Sequence, residues 1–178
     1  MNVIETKLPD CCIIEPKVFG DSRGFFLETF QASRYEELAR ITLPFVQDNH
    51  SRSSKNVLRG LHFQRTKPQG KLIRVVRGEV FDVAIDIRYG SKTYGQSQTV
   101  ILSEENKKQF WVPPGFAHGF LVLSDFADFE YKCTDYYDPV DEGSIKWNDP
   151  DLNILWPVAD PILSEKDANA SNFKDLIA

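Results

Sequence analysis

Ten residues near the middle of the chain, Glu79 to Arg88, alternate with a period of two. Phe81, Val83, Ile85 and Ile87 fall on one parity, and Val80, Asp82, Ala84, Asp86 and Arg88 on the other. Successive strand side chains point to opposite faces, so this pattern predicts a half-buried strand. Gly78 before it and Tyr89-Gly90-Ser91 after it are turn signals. Shorter runs read the same way at 11–19, 24–30, 45–50, 98–102, 109–112, 119–123 and 129–137. Many short strands joined by turns point to a sandwich or barrel. Two helices interrupt the pattern. Ser33 to Glu36 has capping-box spacing and predicts a short helix over 35–40, and a helical tail is expected over 164–177, with Asp167 three residues after a Ser164 cap.

Length and charge narrow the function classes. At 178 residues, without repeats or linkers, the chain is expected to form one domain, 1–178. Its formal net charge of −5 gives no basic footprint for nucleic acid, so an anionic ligand would need a local Arg/Lys cluster. The three cysteines, Cys11, Cys12 and Cys133, are odd in number and two are adjacent, which argues against a disulfide framework and for a reduced, cytoplasmic setting. The segment MNVIETKLPD lacks the basic and apolar regions of a secretory signal. No apolar run approaches the ~20 residues of a membrane helix, so no membrane partner is expected.

Three constellations carry chemistry. The first is Arg59-Gly60-Leu61-His62, followed by Gln69-Gly70-Lys71. An anion-holding Arg, a His base and a Lys near a reacting group are one reading, and a polar strand face with a surface Lys is the other. In a regular strand Arg59 and His62, three apart, face opposite ways. A bulge at Gly60 is therefore expected if both serve one site.

The second is Pro113-Pro114-Gly115-Phe116-Ala117-His118, which has the form of the second cupin motif, Pro-x-Gly-x-x-His. Cupin metal sites also need a His-x-His pair, and here Gly60 stands where the first of them belongs, two residues before His62. His50, the only other histidine, has parity opposite to Gln47 and Asn49. A site without metal is expected.

The third is Tyr131-Lys132-Cys133-Thr134-Asp135-Tyr136-Tyr137. On one continuous strand Tyr131 and Tyr137 would share a face about 20 Å apart, a span suited to the two ends of a nucleotide-sugar. Aromatic core is the plainer reading of both.

Taken together, these segments resemble the dTDP-4-dehydrorhamnose 3,5-epimerase family. The resemblance rests on FGDSRGFFLETF at 19–30, FVQDNHS at 45–51, VLRGLHFQ at 57–64 and QGKLIRVVRGEVFDVAIDIR at 69–88. It continues through WVPPGFAHGF at 111–120, YKCTDYY at 131–137 and WNDP at 147–150. It implies an all-β fold, a cupin-type double-stranded β-helix or jelly roll, with a short helix in the N-terminal half and a helical C-terminal segment. It also implies a homodimer, no cofactor and a dTDP-sugar substrate. His62 would then be the base, Tyr131 the acid on the other ring face, Lys71 the enolate stabiliser and Asp167 the partner of His62. Arg23 and Arg59 would hold the diphosphate. Glu28, Gln47, Asn49, His118, Glu142 and Lys166 would line the site, and Tyr137 would stack on the thymine. The alternatives are an epimerase acting at one carbon, a ketoisomerase on a related nucleotide-sugar, and a sugar-binding cupin without activity. Lys92 and Tyr94 depart from the family's usual Pro and Phe.

Overall fold

A computed structural model describes residues 1–177; Ala178, the last residue of the expected domain, lies outside the described residues. In chain order the elements are β1 (Asn2–Glu5), β2 (Cys12–Glu15), β3 (Val18–Asp21), β4 (Gly24–Leu27), α1 (Ala32–Ala39), β5 (Gln47–Ser54) and β6 (Leu58–Gln64). There follow β7 (Lys71–Arg77), β8 (Glu79–Asp86), β9 (Ser97–Ser103), β10 (Gln109–Val112), β11 (Phe116–Val122), β12 (Phe126–Cys133) and β13 (Glu142–Ser144). A short α2 (Glu165–Ala168) and a 3-10 turn (Phe173–Ile177) end the described chain. One antiparallel sheet runs β1-β2-β10-β7-β12-β5 and the facing sheet runs β13-β6-β11-β8-β9, while β3 and β4 pair only with each other. This is the cupin-type jelly roll that the resemblance implies.

Between the sheets, Ile73, Val75, Phe110 and Phe129 pack against Val80, Ala84, Val100, Phe116 and Phe120. Strand β8 is buried on both faces rather than one. Its aliphatic parity, Val83 and Ile85 with Phe81, turns outward under the C-terminal segment, against Ile145, Leu152, Trp156 and Phe173. The opposite parity, which includes Asp82, faces the interior. The barrel thus directs a carboxylate inward because its tail supplies a second apolar layer outside.

Several boundaries differ from the sequence reading. The expected 11–19 strand divides into β2 and β3 at Pro16, which has no N–H for a ladder. Helix α1 starts earlier than the Ser33 box indicates, because Gln31 is its cap and its Oε1 accepts the Arg34 N–H at 2.7 Å. The Ser164 hydroxyl does cap α2, accepting the Asp167 N–H at 3.1 Å. The helix stops within a turn, since Ser171 pairs with Ile145 as a parallel bridge and needs extended backbone. The 129–137 strand ends at Cys133, so Tyr131 and Tyr137 are not on one strand and the 20 Å spacing does not apply.

Candidate active site

Strand β6 carries the bulge. His62 pairs with His118 and Arg59 with Phe120, so two steps along β11 span three along β6. The extra residue is accommodated at Gly60, whose φ is +124°, and a Cβ there would lie 2.6 Å from the Gly119 Cα. Only glycine adopts this backbone at so close an approach. The consequence is that both side chains turn inward. His62 stands beside the buried His118, and the Arg59 Nε donates to the Ser53 Oγ at 2.9 Å, on the interior side of β5.

His62 lies among carboxylates. Its Nε2 is 2.6 Å from the Asp167 Oδ1, and Asp167 is 3% exposed. Burial pushes the Asp167 carboxyl up, but the bond and charge of His62, the Ser164 hydroxyl and the Gly60 N–H outweigh it and hold it below its ordinary value. An ionised Asp167 fixes the proton on Nε2 and leaves the Nδ1 lone pair free. The Glu142 Oε1 lies 3.9 Å from Nδ1. Glu142 is also held below its ordinary value: burial raises it, and bonds from Lys166 and Tyr137 with the nearby His62 lower it by more. The Tyr137 hydroxyl donates to Oε2 at 2.8 Å, and the Lys166 ammonium pairs with the same oxygen. His118 forms a second, wholly buried pair, its Nε2 3.0 Å from both oxygens of Asp82.

The facing sheet supplies Tyr131, Lys71, Asn49 and Gln47. Burial, then Cys133, push the Tyr131 hydroxyl up to about 12, against a lowering by the Arg59 charge, so Tyr131 keeps its proton at neutral pH. Burial pulls the Lys71 ammonium down, and Cys133, Glu142 and Asp82 partly offset this. Lys71 and Cys133 are register partners on adjacent strands. The Cys133 thiol is pushed up by burial and accepts from the Asn49 Nδ2 at 3.5 Å. The Gln47 Nε2 donates to the Asn49 Oδ1 at 3.1 Å.

The fold therefore brings together His62, Asp167, Arg59, His118, Glu142, Lys166 and Tyr137 with Lys71, Tyr131, Gln47 and Asn49. It does not bring in Arg23 or Glu28. Arg23, 88% exposed, pairs with Asp21 at 2.6 Å in the β3–β4 hairpin, and Glu28 pairs with Arg34 of α1. His50 points to the other side of its sheet, 3.0 Å from Asp128 and away from His62 and His118. That outer face has its own cavity of about 340 Å³ near Arg74, Glu130 and Lys132, and its charges close on one another in pairs such as Lys132–Asp48 at 3.0 Å. Sequence reasoning missed Asp82, Ser53 and Gln64 as contributors. The even spacing Gln47, Asn49, Ser51, Ser53 marks one face of β5 and could have found Ser53. Nothing local marks Gln64.

Comparison with known proteins identifies the family. A family model described as dTDP-4-dehydrorhamnose 3,5-epimerase matches residues 5–175. A dTDP-4-dehydrorhamnose 3,5-epimerase of Salmonella typhimurium is 59% identical over 172 residues, covering 96% of this chain and 94% of the relative. Among solved structures, a Legionella pneumophila dTDP-6-deoxy-D-glucose-3,5-epimerase in complex with dTDP-4-keto-L-rhamnose superposes with a TM-score of 0.95 at 61% identity, over 97% of this chain and 93% of the other. A 3'-monoepimerase of Streptomyces bikiniensis in complex with dTDP-quinovose superposes at 0.90 with 32% identity, over 96% and 87%.

Proposed function

The chain belongs to the dTDP-4-dehydrorhamnose 3,5-epimerase family and is an isomerase, and on that premise we propose how its residues convert dTDP-4-dehydro-6-deoxy-D-glucose to dTDP-4-dehydro-L-rhamnose. The observation that carries the reading is the placement of His62, backed by Asp167 of α2, on one sheet and Tyr131 on the sheet facing it. A sugar ring held between the sheets offers one face to each.

The 4-keto group acidifies the protons on carbons 3 and 5. His62 Nδ1 takes one of them, and the C–H electron pair moves to the ketone oxygen as an enolate. Lys71, the ammonium on the interior face of β7, stabilises that oxygen as its charge develops. Tyr131 returns a proton to the same carbon from the opposite face, which inverts it. The imidazolium gives its proton to water and Tyr131 is reprotonated, and the cycle repeats at the second carbon. Nothing is oxidised overall. Positioned acid–base groups of this kind typically contribute about 10²–10⁴-fold each.

Arg59 holds the diphosphate with its guanidinium fork. Tyr137 stacks on the thymine at the mouth, with Glu142 and Lys166 beside it. His118, set by Asp82, lies against the sugar with Asn49 and Gln47. Arg23 and Glu28 reach a site only in a homodimer. The β3–β4 hairpin that carries Arg23 exposes Phe25 (62%) and Phe26 (68%), an apolar surface that suits burial against a second copy. We take the whole chain as one catalytic domain acting in the cytoplasm, where its buried free thiols stay reduced.

The test is proton NMR of the purified protein with dTDP-4-dehydro-6-deoxy-D-glucose in D₂O. Deuterium at carbons 3 and 5 with the L-rhamno product is the expected result. Deuterium confined to carbon 3 would assign a monoepimerase, the activity named for the 32% identical neighbour. No exchange at either carbon would overturn the reading.

A further inference from the structure

Tyr137 lies in a segment with no strand residue between Cys133 and Glu142, so no ladder hydrogen bonds position it. Two glutamines from opposite sheets take their place. Gln64, at the end of β6, donates from Nε2 to the Tyr136 carbonyl at 3.2 Å and accepts at Oε1 from the Asp138 N–H at 2.8 Å. It thus holds the backbone on both sides of Tyr137. Its second Nε2 hydrogen goes to the Lys67 carbonyl at 2.7 Å. Gln47, on β5, accepts the N–H of Tyr137 itself at 2.9 Å. Three consecutive backbone positions are thereby tied to both walls of the barrel.

Gln64 is 6% exposed, and both of its donors and its acceptor are engaged. A buried carboxamide satisfied in this way holds one geometry, and its loss leaves loop carbonyls and an N–H without partners. Gln64 is also the register partner of Glu142, whose Oε2 accepts the Tyr137 hydroxyl. The same strand position therefore fixes both ends of the Tyr137 residue, the backbone directly and the hydroxyl through the strand it pairs with.

We propose that Gln64 is a positioning residue for nucleotide recognition, setting the Tyr137 ring in place before the thymine arrives. The proposal rests on the reading that Tyr137 stacks on the base. Gln47 serves the same clamp from the other sheet, through its Oε1 on the Tyr137 N–H.

The test is calorimetric titration of dTDP into the full chain and into Gln64→Met, Tyr137→Ala and the double variant. Steady-state epimerisation is measured in parallel. Base–aromatic stacking carries about 1–3 kcal/mol per base, so Tyr137→Ala is expected to weaken dTDP by on the order of tenfold. Gln64→Met is expected to weaken it comparably, and the double variant no further, because both remove one interaction. KM should rise with kcat within about twofold, a split that general loss of structure would not produce. If Gln64→Met does not fold, Gln64→Glu keeps the acceptor for Asp138 and loses both donors, and the same comparison is made with it. Native dTDP affinity in the Gln64 variant beside a weakened Tyr137→Ala would overturn the proposal and leave stacking intact. Multiplicative losses in the double variant would overturn it as well. Native affinity in Tyr137→Ala would remove the stacking reading and the proposal together.

Discussion

Asp167→Ala removes a carboxylate whose Oδ1 lies 2.6 Å from the His62 Nε2. In the resting enzyme the loss is one hydrogen bond to the ring. When His62 takes a proton the loss is larger, because an imidazolium then forms beside a vacated site. Two unit charges about 4 Å apart interact by about 4 kcal/mol at an effective dielectric of about 20. The His62 side chain is 28% exposed, so water recovers part of this. A net loss of about 3 kcal/mol in the transition state corresponds to a rate lower by on the order of 10². The assay is deuterium wash-in at carbons 3 and 5 under saturating substrate, with dTDP titration alongside. Exchange should fall by about two orders of magnitude while dTDP affinity stays native, since Asp167 touches His62 and not the nucleotide end. Exchange within threefold of native, or an equal fall in dTDP affinity, would refute the assignment of Asp167 to the base.

Gly60→Ala puts a methyl group 2.6 Å from the Gly119 Cα at a φ of +124°, and should cost more than about 2 kcal/mol in thermal unfolding; an unchanged melting temperature would contradict the bulge. Tyr131 has its pKa raised by burial to about 12, so its contribution to stability is fully present below its unfolded value near 10 and is lost as pH rises toward 12. Melting curves across that window should show less alkaline loss in Tyr131→Phe than in the native chain, and equal losses would refute the assignment. Cys11, Cys12 and Cys133 are buried with raised thiol pKa values, so alkylation should be slow in the native protein and fast in denaturant; rapid native labelling of Cys133 would contradict the packing around Lys71.

The parts of the fold written in local pattern were legible in the sequence. The β8 alternation located the central strand, and the odd spacing of Arg59 and His62 around Gly60 pointed to a bulge that the register contains. What was not legible depends on contacts between distant segments. The aliphatic parity of β8 faces outward only because residues beyond Ile145 fold back over it, and no feature of 79–88 reports that. Tyr137 left the expected strand because loop bonds to Gln47 and Gln64 replace ladder bonds after Cys133. The pairing of His62 with Asp167 came from resemblance alone, since a helix far along the chain supplies the carboxylate. Arg23 and Glu28 entered the candidate site through resemblance alone, and in this chain they lie outside the barrel, paired with Asp21 and Arg34.

Separating exchange from inversion tests the two-faced site most directly. Tyr131→Phe and His62→Ala are each incubated with the 4-keto substrate in D₂O, and deuterium and stereochemistry are read together at carbons 3 and 5 by NMR. With His62 intact and the opposite acid gone, Tyr131→Phe should incorporate deuterium while little L-rhamno product forms. His62→Ala should lose both. Native rates of inversion in Tyr131→Phe, or continued exchange in His62→Ala, would contradict the assignment of base and acid to facing sheets.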